Sequence, residues 1–324
     1  MKILLTGACG YIGSVLSYHL IKNKIDFAGV DNLSNSFISS FPKSKKLYIG
    51  DISDKKLLKK IYNEYSPDGI IHLAASISVA ESEKKKSFYY KNNFLKSKIF
   101  FDYFKNKKIK LFFFSSTAAV YEGSPNIKNE RLKEKAANYY GFTKKKFEDY
   151  LISSKKQRQN LKIKIFRFFN VLGSHKNMMV GNRSKKSDHL ANKLCESAIY
   201  KKDFTIYGNQ YRTKDGTAIR DFIDVNDICK IIVFFLKNKK NNSIIYNLAT
   251  EKRYSVLEVF KIFQGLSKNK INLEFGPNRS GDAYKLVCSN KKLKRVYKAK
   301  FTSFTQSLKN HLRFYAKTLG KQKN

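Results

Sequence analysis

Tyr140 and Lys144 stand four residues apart in Tyr140-Gly141-Phe142-Thr143-Lys144, so on a helix they share one face. A cation beside a phenol favours the phenolate, and a tyrosine whose ordinary pKa is ~10 can be drawn toward neutrality. Such a tyrosine can take a hydroxyl proton while a hydride leaves the same carbon. Tyr-x-x-x-Lys also occurs in many purely structural helices, so its meaning depends on what surrounds it. Gly7-Ala8-Cys9-Gly10-Tyr11-Ile12-Gly13 follows the apolar run Ile3-Leu4-Leu5. A glycine-rich turn between a strand and a helix is a seat for a dinucleotide pyrophosphate. Gly7 allows the tight turn, Gly10 lets backbone approach the phosphates, and Gly13 lets helix and strand pack closely. The helix that opens there presents amide donors and its positive dipole end.

Two further features lie at strand ends. Asp31 closes the apolar run Phe27-Ala28-Gly29-Val30, about 20 positions past the glycines, where a carboxylate takes ribose hydroxyls. The same carboxylate repels a 2′-phosphate, which favours NAD over NADP. Phe113-Phe114-Ser115-Ser116-Thr117 is an apolar run that ends in hydroxyls. Thr117 is the candidate to bond a reacting oxygen, whereas Ser115 and Ser116 read as strand-end capping.

Positioning these residues requires alternating strands and helices. Apolar runs at Lys46–Ile49, Gly69–Leu73, Ile109–Ser115 and Lys162–Phe168 read as strands. Helical periodicity covers Tyr11 to about Lys22, a stretch from about Asp54, Ser87–Lys105, and about Asn138 to Ser154. The alternation predicts an α/β fold, a doubly wound parallel sheet of Rossmann type with ligands beyond the strands' C-terminal ends. From about Asn170 the pattern turns irregular, with a helix near His189–Tyr200 and a smaller C-terminal α/β part. Arg220–Asp224 and Tyr246–Ala249 read as returns to the sheet.

Composition narrows the class. At 324 residues the chain can bury one large core or two adjoining ones. No leader-like segment precedes the first strand, and no apolar run reaches the ~20 residues of a spanning helix. Cys9, Cys195, Cys229 and Cys288 show neither metal-type nor redox spacing, so no metal is expected and the thiols read as reduced and cytoplasmic. Lys and Arg number 65 against 25 Asp and Glu, a formal charge of +40. The basic runs are scattered along helix ends with no nucleic-acid module, which argues against a specific nucleic-acid partner.

These motifs together resemble the extended short-chain dehydrogenase/reductases, and among them the UDP-glucose/UDP-galactose 4-epimerases. The resemblance runs through Gly7–Gly13 in its Gly-x-x-Gly-x-x-Gly spacing, Asp31–Ser36, Gly50–Ile52, His72–Ala75 and Ser115–Tyr121. It continues through Tyr140–Lys144, Arg167–Asn170, Asp215–Asp221 and Arg279–Asp282. It implies NAD as cofactor, a UDP-sugar as substrate and a homodimer. Residues 1–170, with returns near 218–250, would then bind NAD, and 171–324 mainly the UDP-sugar. Carried over, Tyr11 and Ile12 approach the pyrophosphate, while Asp31, Asn32, Asn35 and Ser36 hold the adenosine ribose. Asp51 and Ile52 lie at the adenine, Asn92 lies near the cofactor, and Lys144 bonds the nicotinamide ribose. Asn170, His189, Arg220, Arg279 and Asp282 meet the uridine diphosphate, and Tyr140, Lys144 and Thr117 are catalytic.

The departures from the family pattern are equally specific. Thr117 replaces a serine, Ile77 a cofactor-contacting lysine and His189 an asparagine. Leu286 aligns with a tyrosine that restricts the sugar pocket, which resembles epimerases that also accept N-acetylated hexosamines; Tyr284 lies two residues away. Ala118 and Ala119 occupy the positions where sugar dehydratases carry an Asp-Glu pair, so dehydration is disfavoured. A 4-keto-sugar reductase or dehydrogenase shares the tyrosine and lysine and stays open. A non-catalytic nucleic-acid-binding relative is the reading that the charge alone would support.

Overall fold

The computed structural model describes residues 1–121, 127–132, 135–157, 160–238, 244–278, 283–298 and 300–320. Its first half alternates strand and helix: β1 (Lys2–Thr6), α1 (Tyr11–Lys22), β2 (Asp26–Asp31), β3 (Leu47–Ile49), α2 (Lys55–Tyr65) and β4 (Gly69–His72). Then come α3 (Val79–Lys84), α4 (Lys86–Tyr89), α5 (Lys96–Lys105), β5 (Leu111–Thr117), α6 (Tyr139–Gln157) and β6 (Lys162–Phe168). The second half holds β7 (Asn170–Leu172), α7 (Leu190–Tyr200), β8 (Phe204–Tyr207), β9 (Ile219–Asp224), α8 (Val225–Lys237) and β10 (Ile245–Leu248). It closes with β11 (Arg253–Ser255), α9 (Val256–Leu266), β12 (Leu273–Gly276), β13 (Lys285–Leu286), α10 (Lys291–Lys294) and α11 (Phe304–Gly320).

Strands such as β4 and β5 are buried on both faces, so helices must cover both sides. The seven-stranded sheet runs β10-β6-β5-β4-β1-β2-β3, and every pairing in it is parallel. On one face Leu58, Phe100, Phe101, Phe104, Phe147 and Leu151 bring in α2, α5 and α6. On the other Val15, Leu16 and Leu20 of α1 meet Ile228, Ile231, Ile232 and Phe235 of α8. The order reverses between β1 and β4, and the crevice at that switch point is where such sheets bind ligands.

A second core gathers Leu194, Phe204, Val259, Phe260, Phe263, Phe304 and Leu308 from α7, β8, α9 and α11. One expectation needs correction here. Tyr246 and its neighbours do return to the large sheet as β10, but Arg220–Asp224 does not. As β9 it pairs with β7, β11 and β13 in a separate small sheet, and only α8, which follows it, packs back on α1. The stretch expected as one helix over 87–105 is α4 and α5 joined by a π-helical segment, Tyr90–Leu95. Five-residue hydrogen-bond steps keep the apolar face continuous while resetting its phase, and such segments concentrate at functional sites.

Candidate active site

The glycine turn has the shape that a pyrophosphate needs. A Cβ on Gly13 would lie 2.2 Å from the Gly7 carbonyl oxygen, and Gly7 itself sits at φ +66°, so both positions demand glycine. Gly10 caps α1 without a side chain, which leaves the first-turn amides of Tyr11 and Ile12 for a ligand. At the end of β2, the Asp31 carboxylate accepts from the Cys9 amide at 2.9 Å, the Leu33 amide at 2.8 Å and the Ser36 hydroxyl at 2.9 Å. Asp31 and Ser36 are thereby locked together, while Asn32 and Asn35 stay exposed. Asn35 is engaged through its amide with the Lys186 backbone.

Asp51 accepts from the Ser53 amide and hydroxyl and from Lys96 Nζ at 2.5 Å. Burial raises its carboxyl, but Lys96 and Ser53 outweigh that and hold it below the ordinary range. Ile52 beside it is buried. Ile77 is 62% exposed.

Tyr140 and Lys144 occupy the inner stripe of α6, which continues through Phe147, Glu148 and Leu151. A Cβ on Gly141 would stand 2.0 Å from the Ala119 carbonyl, so only glycine lets α6 press against the exit of β5. That approach brings the Tyr140 hydroxyl into hydrogen bond with Thr117, whose own oxygen also accepts from the Ala119 amide at 3.1 Å. The first turn of α6 is fixed from α3, where Ser82 Oγ accepts from Tyr140 N at 3.0 Å and Glu83 from Tyr139 N at 2.7 Å. Lys144 is 2% exposed, and its Nζ stands 4.3 Å from the Phe114 ring centroid.

The electrostatics differ from the simple sequence picture of a cation lowering a phenol. Burial pushes the Tyr140 phenol up to about 12, and the Thr117 hydrogen bond pulls only partly against it. Burial likewise draws Lys144 down to about 7, opposed by the Glu148 carboxylate one turn away. The protein thus prepares a dry pair whose charged forms need a further partner to be favoured.

Several supporting residues escaped the motif reading. Glu148 and Arg167 form a fully buried bidentate pair, Nε to Oε1 at 3.0 Å and Nη2 to Oε2 at 2.6 Å. Arg167 Nη1 also donates to the Tyr121 hydroxyl at 2.7 Å, which passes its hydrogen to Asn247 Oδ1 at 2.9 Å. Glu148 stands at i+4 from Lys144 on the same helix face, and that spacing was the available signal. His72 is sandwiched between Phe100 and Phe114. Thr6 Oγ1 already accepts from the Leu73 and Ala74 amides, so its hydrogen goes to His72 Nδ1 at 2.7 Å, and His72 Nε2 donates to Ser97. Burial, aided by Lys144, holds that imidazole down at about 3, neutral beside the lysine.

Asn93, rather than Asn92, is the buried member of the π segment. Asn93 Oδ1 accepts from Ser76 N at 2.8 Å, and its amide donates to the Ser76 carbonyl at 2.9 Å and to Thr143 at 3.3 Å. Asn92 is partly buried and donates to Ser76 Oγ at 3.0 Å.

On the small sheet the Asn170 amide donates to the Asp221 carbonyl at 3.0 Å, and Arg220 is 9% exposed on β9. His189 caps α7 through its backbone conformation, and its ring stacks on His311 at 5.8 Å and meets Tyr11 edge-on at 6.4 Å. Leu286 on β13 packs with Ala118, Val120, Tyr121 and Phe169, at the Thr117 end of β5. Tyr284 instead stacks on Tyr211 at 6.2 Å, away from that cluster. Arg279 and Asp282 lie outside the described residues.

A sequence model of the NAD dependent epimerase/dehydratase family matches residues 3–249. The chain is 33% identical over 300 residues to the UDP-glucose 4-epimerase of Lactobacillus helveticus, covering 91% of each. It is 31% identical over 299 residues to that of Corynebacterium glutamicum, covering 91% of this chain and 89% of the relative. Its fold superposes at a TM-score of 0.93 on the UDP-glucose 4-epimerase from Bifidobacterium longum in complex with NAD+ and UDP, at 27% identity and 98% coverage of both chains. It is also similar to the UDP-Glc/GlcNAc 4-epimerase from Campylobacter jejuni, with a TM-score of 0.83, 30% identity and coverage of 98% of this chain and 99% of that one.

Proposed function

This chain belongs to the NAD-dependent epimerase/dehydratase family, and we propose that it interconverts UDP-hexoses epimeric at C4 with NAD as its resident cofactor. The observation that carries this reading is the convergence of Thr117, Tyr140 and buried Lys144 beyond β5. The glycine turn, the uncapped α1 amides and Asp31 fit a dinucleotide without a 2′-phosphate, which supports the reading that NAD is held by the part built from residues 1–170.

NAD, when bound, supplies the hydride acceptor and donor at C4 and a positive ring near the phenol. The chain's residues do the rest. Tyr140 takes the 4-hydroxyl proton at its phenolic oxygen as the C4 hydrogen departs, and returns it to the oxygen of the epimer. Thr117 holds that oxygen through both transfers. Lys144, dry and one helical turn from Tyr140, favours the phenolate when its ammonium is charged, a form that Glu148 supports against burial. Arg220 and Asn170 grip the uridine diphosphate, guanidinium to phosphate, so the sugar can turn over while its anchor stays. Ala118 and Ala119 offer no acid for expelling a neighbouring hydroxyl, so the reaction stops at epimerisation. Tyr140→Phe should abolish turnover while NAD stays bound; unchanged activity contradicts the assignment. A reductase or dehydrogenase would instead consume cofactor, which net NADH absorbance change reveals.

The packing of Leu286 at the Thr117 end, with Tyr284 turned to Tyr211, favours a second reading in which N-acetylated hexosamines are also accepted. Comparing UDP-galactose with UDP-N-acetylgalactosamine as substrates tests it, and Leu286→Tyr should remove the second activity selectively. Phe88, Leu95 and Ile99 around α4 and α5 and Phe142 on α6 leave apolar side chains exposed, and they support a homodimer through these helices. Phe100, Phe101 and Phe104 of α5 lie in the core instead. A monomer by light scattering at micromolar concentration contradicts the dimer. Four buried, unpaired cysteines support a cytoplasmic, reducing setting, and among the described residues no helix is long and apolar enough to cross a membrane.

A further inference from the structure

We propose that a cavity between the 127–131 segment, Tyr246 of β10, Arg253 of β11 and the 288–296 segment is a second ligand site, built for a small molecule carrying two or more phosphate groups. Its volume is about 910 Å³, toward the upper end of the ~300–1,000 Å³ range of small-molecule pockets. Arg131, Arg253, Lys291, Lys292 and Arg295 line it against two carboxylates, Glu130 and Glu251.

Both carboxylates are committed to holding the walls. Glu251 accepts from the Asn290 amide at 2.7 Å, from Ser289 Oγ at 3.2 Å and from Lys294, which is not a lining residue. Glu130 accepts from the Asn247 amide at 2.9 Å. Among the described residues, none of the five lining cations forms an ion pair with a carboxylate. Lys292 Nζ stands 5.2 Å from the Tyr246 ring centroid and Lys164 Nζ 5.7 Å from the same ring, so two ammonium groups crowd one aromatic ring. Burial holds Lys292 below its ordinary value; Glu130 opposes this, while Arg167 and Arg131 add to it. A dispersed surface charge would not depress a lysine in this way. Here the five cations line one open concavity, and guanidinium forks match phosphate oxygens bidentately.

The cavity shares no lining residue with the Thr117–Tyr140–Lys144 centre or with Asn170, His189 and Arg220. It backs onto the same small sheet, because Arg253 is paired in register with Asp221, next to Arg220. Binding there is therefore expected to be additive with UDP rather than competitive.

The test is calorimetric titration of tripolyphosphate into the full-length protein at physiological ionic strength, with NAD and UDP saturating. One equivalent should bind with UDP present, and Arg253→Gln/Lys292→Gln should weaken it at least ~10-fold. Arg131→Gln alone, at an exposed position that carries little of the fold, should weaken it in the same direction. Lys55→Gln/Lys56→Gln on α2 removes the same charge elsewhere and should change affinity less than ~2-fold. Displacement by UDP, several equivalents bound, no binding, or equal weakening by both double variants would each overturn the proposal.

Discussion

Replacing Glu148 with Gln removes one partner of a pair that no water reaches. Arg167 then keeps its charge at 0% exposure without the carboxylate that met its Nε and Nη2. Breaking a buried pair in this manner costs ~3–5 kcal/mol, because the uncompensated ion is worse than the pair was good. For a chain of this size that corresponds to a melting temperature lower by roughly 4–7 °C. Glu148→Gln/Arg167→Met, which removes both charges, should recover most of the loss, since apolar replacements of buried pairs are commonly neutral or better. Thermal and urea melts of the three proteins supply the numbers. In the recovered double variant Lys144 still lacks the carboxylate that opposes its desolvation, so it becomes neutral at lower pH than in the native chain. The fall in turnover with rising pH should therefore begin at lower pH than in the native enzyme while the fold is intact. A Glu148→Gln protein within ~1 kcal/mol of the native one, or a double variant with no recovery, refutes the reasoning.

Other expectations follow from the same burial. His72 and His311 are both held down to about 3 from an ordinary 6.5, burial being the main cause. Between those values the unfolded chain binds protons that the folded chain refuses, so stability is whole above 6.5 and is lost as pH falls below it. The maximal slope is ~1.4 kcal/mol per pH unit for each histidine. Melts from pH 7 to pH 5 should show a falling midpoint, and a flat profile contradicts the assignment. Gly13→Ala drives a Cβ to 2.2 Å from the Gly7 carbonyl oxygen, which should cost ~1–3 kcal/mol. It should also yield purified protein with little bound NAD; full NAD content in that variant contradicts the role given to the turn.

Much of the architecture was readable because the buried strands and amphipathic helices carry their periods in their residues. Ile3–Leu5 and Phe112–Phe114 are apolar runs, Lys162–Ile165 alternates, and α6 repeats its inner face from Tyr140 through Leu151. Strand identity is local, but strand partnership is not. Nothing within Arg220–Asp224 distinguishes an edge of the large sheet from the centre of a small one, and the distinction arises from β7, β11 and β13 around it. The π-helical break at Tyr90–Leu95 preserves a helical residue pattern, so only the backbone hydrogen-bond step reveals it. Glu148 and Arg167 drew no role of their own from the sequence because no residue type announces burial; their pairing across α6 and β6 makes it tolerable. The Tyr140–Lys144 spacing was visible, yet the state of the pair depends on dryness that only the packed site supplies.

The central claim is that the hydrogen removed from C4 returns to the same sugar while Tyr140 handles the hydroxyl proton. UDP-galactose deuterated at C4, incubated with the purified protein and no added cofactor, tests it directly. The account predicts UDP-glucose that keeps the deuterium at C4, with no net change in NADH absorbance and no product from Tyr140→Phe. Loss of the label to solvent, or accumulation of reduced cofactor in step with product, would contradict it.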